Sequence, residues 1–261
     1  MNAGEFVTND DTDADRHQTA GSRFWGVFAW LLFVSGVLCA VFFTVVVPGL
    51  DRRRRWVTAV GRGFFQAVGI PASVSGLHRL PTGHCIDVAN HASYLDGVIL
   101  QAYLPPRFSY VIKGEMRKVP VAHFLLRRIG SKFVERFVTS GSARDARALL
   151  KAASAGESLA FFPEGTFIET PGLGQFRNGA FAAALKAGLP IVPVVIRGSR
   201  KILSAGQFLP RHGALELEIL QPIETGDAAY NSAMALADEA RQRILSRLDE
   251  PDLIVANDAR M

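Results

Sequence analysis

His91 and Asp96, five residues apart in the stretch NHASYLD at 90–96, carry the strongest chemical signal in the chain. The stretch interrupts an apolar run, CIDVA, with a cluster of polar side chains. One reading is structural. Ser93-Tyr-Leu-Asp96 has the S-x-x-[DE] spacing of a capping box, with Ser93 as N-cap and Asp96 as its partner, which leaves His91 a loop residue. The other is chemical. A loop histidine folded back over the first helical turn can donate its second ring N–H to the carboxylate, fixing the tautomer and stabilising the imidazolium formed when the ring takes a proton. His91 is then a general base and Asp96 its orienting partner. Ser93, two residues from the base, is explained more economically as a cap than as a nucleophile.

Three further clusters follow. GSKFVER at 130–136 ends in Arg136 beside Glu135, which alone reads as a surface ion pair. AFFPEGTF at 160–167 is sharper: Pro163 stops a strand, and Glu164, Gly165 and Thr166 present a carboxylate, a bare backbone and a hydroxyl on one turn. In IVPVVIRG, Pro193 sits inside an apolar run, which implies an edge, a bulge or a strand end. Arg177 and Asn178 open a small-residue helix, consistent with an anion site or with a plain N-cap.

The elements that must position these groups alternate. Strands are predicted at 85–90, 108–113, 132–137, 158–163, 190–197 and 215–222, and helices at about 94–104, 116–129, 142–155, 177–188 and 230–248, the fourth ending at Gly188. Such repetition predicts an α/β fold with a mixed, largely parallel sheet flanked by helices. In such sheets, ligand-handling residues gather where strands hand over to loops.

The 261 residues accommodate one such domain and an appendage, and 49% apolar residues is more than a water-facing core requires. The excess sits in an uncharged stretch at 24–47, which as a helix is about 36 Å long and long enough to cross a bilayer core of about 30 Å. It reads as a membrane helix. A cleaved signal peptide fits poorly, because acidic residues precede the stretch and its apolar core is too long. Lipid attachment at Cys39 fits poorly too, because Leu38 precedes it in mid-run. The serious rival to a crossing is a helical hairpin or in-plane insertion. Residues 56–70 carry Trp56, Val57, Val60, Phe64, Phe65 and Val68 at helical spacing, which suits a second, interfacial helix.

The net charge of +5 could draw nucleic acid, anionic lipid or an acidic substrate. Position favours lipid, because the densest basic run, Arg52 to Arg55, lies just after the apolar stretch. The same run predicts that the following residues face the cytoplasm. Cys39 and Cys85 have neither disulfide nor zinc spacing, so a reducing compartment and no metal are expected. The expected divisions are a disordered tail at 1–23, a membrane-anchoring segment at 24–70, the main domain at 71–250 and a C-terminal tail at 251–261.

Asn90-His91-x4-Asp96, Gly130-x2-Phe133-Val134-x-Arg136, Phe162-Pro163-Glu164-Gly165-Thr166 and Val192-Pro193-Val194, in that order, resemble the four sequence blocks of the glycerolipid acyltransferase family, in particular its 1-acylglycerol-3-phosphate acyltransferases. The resemblance covers roughly 83–200. It implies transfer of a fatty acyl group from a thioester, on coenzyme A or acyl carrier protein as co-substrate, to a lysophospholipid hydroxyl. No further cofactor and no nucleic acid are implied. His91 would deprotonate the acceptor and Asp96 would orient His91. Arg136 would bind the acceptor phosphate, Glu164, Gly165 and Thr166 would shape its site, and Pro193 would line the acyl-donor side. Glu135 departs from the family, which more often has a neutral residue or Asp there. A short chain of this type looks bacterial, which implies an inner-membrane enzyme facing the cytoplasm. The blocks define the reaction better than the acceptor, so another lyso-lipid, such as a lyso-ornithine lipid, stays open. A silent membrane-anchored lipid-binding protein would not need a base. A hydrolase is disfavoured by the lack of a G-x-S-x-G elbow.

Overall fold

The computed structural model describes residues 20–134 and 139–258. Two long helices, α1 (Ala20–Val46) and α2 (Leu50–Ala67), precede a sheet whose strands are β1 (Ala72–Ser75), β2 (Ile86–Ala89), β3 (Phe108–Lys113), β4 (Lys132–Val134), β5 (Ser158–Phe161), β6 (Ile191–Arg197) and β7 (Leu215–Ile219). Helices α3 (Asp96–Tyr103), α4 (Pro120–Arg128), α5 (Thr139–Ser154), α6 (Gly179–Ala187), α7 (Ser199–Ile202), α8 (Ala233–Leu245) and α9 (Leu253–Asp258) connect or follow the strands. The strand order is β1-β7-β6-β2-β5-β3-β4, and every pairing is parallel except β6 with β7. This is the expected mixed, largely parallel sheet. One face packs on α2 and α3 through residues such as Phe65, Ile99 and Leu100, and the other on α5, α6 and α8 through Leu149, Phe181 and Leu236.

Pro193 sits inside a central strand, opposite Val88 of β2. Its carbonyl accepts from Leu220 N–H, so its missing N–H also faces the β7 side, where the register slips by one residue between the Val194–Ile219 and Ile191–Ile223 pairs. Of the three options the proline implied, the bulge is the one realised. The short edge strand β1 was not anticipated from the sequence.

The first helix begins at Ala20, so 20–23 are helical rather than part of a disordered tail; 1–19 lie outside the described residues. Helices α1 and α2 form an antiparallel hairpin, with Phe33 against Phe64, Gly36 against Val60 and Phe43 stacked on Trp56. The domain holds α1 at both ends: Trp30 Nε1 donates to Phe208 O at 2.6 Å and Arg128 Nε to Thr44 O at 2.9 Å. The opposite face, with Phe24, Val27, Phe28, Leu31, Val34, Leu38, Phe42 and Val45, is exposed. Within the basic run, Arg52 and Arg55 are exposed while Arg54 is buried and donates to Ile129 O, Arg107 O and Ser109 Oγ. Gly130, with φ +82°, closes α4, and a Cβ there would stand 2.9 Å from Arg54 Nη2. Residues 251–258 are not a free tail: Leu173 N–H donates to Pro251 O, and Arg241 pairs with Asp252, holding that carboxyl down to about 2.

Asp87 on β2 is fully buried; the Cys85 thiol donates to Oδ1 at 3.5 Å, and Oδ2 has no partner among the described residues. Burial pushes this carboxyl up to about 8. The folded state therefore keeps a proton that the unfolded chain releases near pH 4. This contribution to stability is full below that pH, is lost as pH rises towards 8 and is flat above it, with a slope of about 1.4 kcal/mol per pH unit. Asp87→Asn is expected to remove that slope. Melting of the detergent-solubilised protein at pH 5 and pH 8 tests this, and equal slopes in the two proteins would refute it.

Candidate active site

Beyond Ala89 the sheet continues through a side chain. Asn90 Nδ2 donates to Ile196 O at 2.9 Å, and its Oδ1 accepts from Ile196 N–H at 2.8 Å, adding a rung between β2 and β6. The residue before His91 is thus fixed to the sheet centre.

Asp96 opens α3 and turns its carboxylate back over the preceding loop. Its Oδ2 accepts from Ala92 N–H at 2.6 Å and Ser93 N–H at 2.8 Å, and lies 2.8 Å from His91 Nδ1. An ionised carboxylate only accepts, so the proton in the last bond belongs to Nδ1, and in the neutral ring Nε2 then carries the lone pair. The carboxylate thus holds the loop and the imidazole together, but the capping expectation is corrected: the residue that caps α3 is Leu95, not Ser93, and no side chain caps the helix. Ser93 is fully buried; its hydroxyl donates to Leu203 O and accepts from Leu95 N–H, so it serves the turn.

His91 is only 17% exposed. Its ring stacks on Phe162 with centroids 4.2 Å apart, meets Phe167 at 4.5 Å, and Phe167 in turn meets Tyr94 edge-on at 4.8 Å. These aromatic neighbours were not singled out from the sequence, although Phe162 and Phe167 bracket the P-E-G-T turn.

Glu164 faces inward. Its Oε1 accepts from His91 N–H at 2.7 Å and its Oε2 from Gly174 N–H at 2.9 Å, so the carboxylate ties the base's own backbone to the loop after β5. Burial raises its pKa, and those two N–H groups oppose the rise. Gly165 is buried with φ +86°, a conformation that suits glycine alone, and its N–H closes the turn on Phe162 O. Thr166 is exposed beside it.

His91, Asp96, Glu164, Gly165 and Thr166 are thus gathered at the C-terminal ends of β2 and β5. Pro193 is buried in β6, and strand alternation sets it with Ile191 and Val195 towards the α5, α6 and α8 layer, away from α3. Arg136 lies outside the described residues. Asn178 caps α6 without a side-chain bond and Arg177 is exposed; the Arg177 N–H donates to Pro163 O, which brings the start of α6 to the same turn.

A narrow apolar cleft of about 60 Å³ lies between the hairpin and the start of α3. Trp30, Phe33 and Phe64 form one wall, and Tyr94, Val98 and Leu203 the other. Tyr94 links the cleft to the aromatic shell of His91, because it also touches Phe167. The arrangement offers an imidazole whose Nδ1 is held by a buried carboxyl, beside an apolar cleft.

A family model described as Acyltransferase matches residues 72–197. The chloroplastic 1-acyl-sn-glycerol-3-phosphate acyltransferase of Brassica napus is 28% identical over 257 residues, covering 93% of this chain and 72% of that protein. The lyso-ornithine lipid O-acyltransferase of Pseudomonas aeruginosa is 30% identical over 195 residues, covering 68% and 72%. Among solved structures, the 1-acyl-sn-glycerophosphate acyltransferase of Thermotoga maritima superposes with a TM-score of 0.72 over 87% of this chain and 96% of that one, at 19% identity.

Proposed function

Since this chain belongs to the glycerolipid acyltransferase family and is an O-acyltransferase, we propose that it transfers a fatty acyl group from a thioester donor to 1-acyl-sn-glycerol 3-phosphate, giving phosphatidic acid. The observation that carries this reading is the 2.8 Å bond between His91 Nδ1 and Asp96 Oδ2, which leaves Nε2 ready to accept a proton.

The acceptor hydroxyl gives its proton to Nε2 as its oxygen attacks the thioester carbonyl. Asp96 stabilises the imidazolium that forms. The tetrahedral intermediate then collapses: the new ester keeps the acyl group, the C–S bond breaks, and the leaving thiolate takes the proton back from His91. The donor is acyl-coenzyme A or acyl carrier protein. Glu164 keeps His91 in register, Gly165 and Thr166 shape the acceptor side, and Arg136, just beyond β4, supplies a guanidinium for the acceptor phosphate.

The membrane supplies the acceptor. A helix held by the domain at both ends cannot cross a bilayer while it stays docked, so the hairpin lies in the interface with the exposed face of α1 among the lipid chains. The catalytic domain is on the cytoplasmic side of that membrane, the inner membrane of a bacterium.

A second reading is favoured by one relative and one feature. The lyso-ornithine lipid enzyme is among the similar proteins, and the immediate shell of His91 is aromatic, with Phe162 and Phe167 on the ring. Purified protein offered a labelled acyl thioester with lysophosphatidic acid and lyso-ornithine lipid in parallel decides between them. Labelled phosphatidic acid at a rate at least tenfold above the other product is the expected result, a margin of about 1.4 kcal/mol in barrier. Preference for the ornithine lipid would keep the mechanism and replace the acceptor.

A further inference from the structure

The turn between α1 and α2 borders a basic cavity of about 660 Å³. Arg53 of α2, Arg117 before α4, and His123, Arg127 and Arg128 of α4 line it with Pro120 and Phe124, and no carboxylate lines it among the described residues. Part of this cluster has a structural job. Arg53 Nε donates to Val47 O at 2.8 Å and Arg128 to Thr44 O, satisfying carbonyls at the end of α1 that have no helical donor. That leaves both terminal nitrogens of Arg53, Nη1 of Arg128 and the whole guanidinium of Arg127 without a partner among the described residues.

The lining does not include His91 or Asp96; Arg117 follows the C-terminal end of β3 and donates to Phe133 O, while the α2 side of the cavity lies at the other end of the sheet. Arg54, next to Arg53, bonds Arg107 O and Ile129 O, which precede β3 and β4, so this part of α2 lies at the N-terminal ends of those strands. His91 follows the C-terminal end of β2, with β5 and β3 between β2 and β4. Apolar side chains neighbour the lining residues along the chain: Val119, Val121 and Phe124 are exposed at 47%, 49% and 42%, and Val45, Val46 and Trp56 are exposed near the hairpin tip.

We propose that this cavity binds the phosphate of an anionic glycerophospholipid at the bilayer surface. Guanidinium forks match phosphate oxygens, and the concave space suits a headgroup. These apolar neighbours select a lipid over an acidic soluble protein, because only a lipid brings hydrocarbon to cover them. Occupancy would fix the depth and tilt of the hairpin. The inference rests on the interfacial position of the hairpin and is independent of which acceptor the enzyme uses.

The test is flotation of the full-length protein with phosphatidylcholine vesicles, with and without phosphatidylglycerol. Arg127→Glu is compared with Arg55→Glu, the same charge change at an exposed position of α2 that does not line the cavity. Wild type is expected to prefer the anionic vesicles, with the preference cut about tenfold by Arg127→Glu and about twofold or less by Arg55→Glu. Equal losses in the two variants would mean diffuse surface charge and overturn the site, as would equal wild-type binding to neutral and anionic vesicles. Binding to polyglutamate that Arg127→Glu weakens while vesicle binding is untouched would assign the cavity to an acidic protein and overturn the lipid. Melting in detergent checks each variant's fold, and Arg127→Gln gives the same comparison should the charge reversal unfold the protein. Acyl transfer, assayed separately, distinguishes failure here from failure of the catalytic reading.

Discussion

His91→Ala should lower acyl transfer by about 10⁴-fold, and Asp96→Asn by about 10²- to 10³-fold, with the melting temperature of the first variant little changed. The two numbers differ for a geometric reason. Alanine at 91 removes the ring nitrogen that takes the hydroxyl proton in the proposed mechanism, and its backbone N–H can still donate to Glu164. Asparagine at 96 keeps more. The N–H groups of Ala92 and Ser93 point at the Oδ2 position, so they draw the amide oxygen there, and that oxygen still accepts from Nδ1. The tautomer survives and only the negative charge opposite the imidazolium is lost. The orphaned Oδ1 position would hold the amide nitrogen, which is no better satisfied than the oxygen it replaces. Initial rates at saturating donor and acceptor, beside melting in detergent, measure both effects. More than a tenth of wild-type rate in folded His91→Ala would remove the histidine from the mechanism.

The largest effect on stability is expected at Arg54. Arg54→Ala leaves Ile129 O, Arg107 O and Ser109 Oγ without the donor each now has, inside a site that is 6% exposed. Unsatisfied buried acceptors and the lost packing of the stem together cost about 3–5 kcal/mol, which in a chain of this size lowers the melting temperature by roughly 10 °C. Lysine restores the charge but not the three-directional fork, so Arg54→Lys should recover less than half of the loss. Arg55→Ala, one residue away and exposed, should fall within about 0.5 kcal/mol of wild type. Because Arg54 joins α2 to the segments that lead into β3 and β4, proteolysis between α2 and β1 should rise in parallel with the thermal loss. A melting temperature unchanged by Arg54→Ala would show that hairpin and domain do not depend on this contact.

What could be read ahead of the structure follows from what is local. Asp96 reaches three, four and five residues back, so its spacing from Ser93 and His91 revealed both of its tasks. Strands β2, β3, β5 and β6 were legible because their runs are almost continuously buried, and β7 because it alternates; β1 was missed because Ala-Ser-Val-Ser is short, half polar and at the sheet edge. Pro193 announced an irregularity, and only the pairing with β7 defined it as a bulge. Contacts across long separations were hidden. Glu164 meets His91 from 73 positions away, so its inward clamp could not be told from a turn carboxylate that points at substrate. Arg54 is one of four consecutive arginines, and nothing in that run distinguishes the buried one from its exposed neighbours. The C-terminal segment looked like a tail because its partners, Leu173 and Arg241, lie in other elements.

The pairing of β1 with β7 also governs the order in which the protein can be assembled. β1 is an edge strand whose partner is β7, and Ala72 waits for Leu215, about 140 residues later. At ribosomal rates of about 5–20 residues per second, that is a delay on the order of ten seconds. The hairpin also waits, because Trp30 donates to Phe208 O and Gly26 packs on Leu209 and Pro210, all of which emerge late. During that interval the newborn hairpin carries two apolar faces and has only part of its docking surface. The exposed apolar face of α1 is therefore available before the sheet is complete, so contact with an apolar surface can precede closure of the fold.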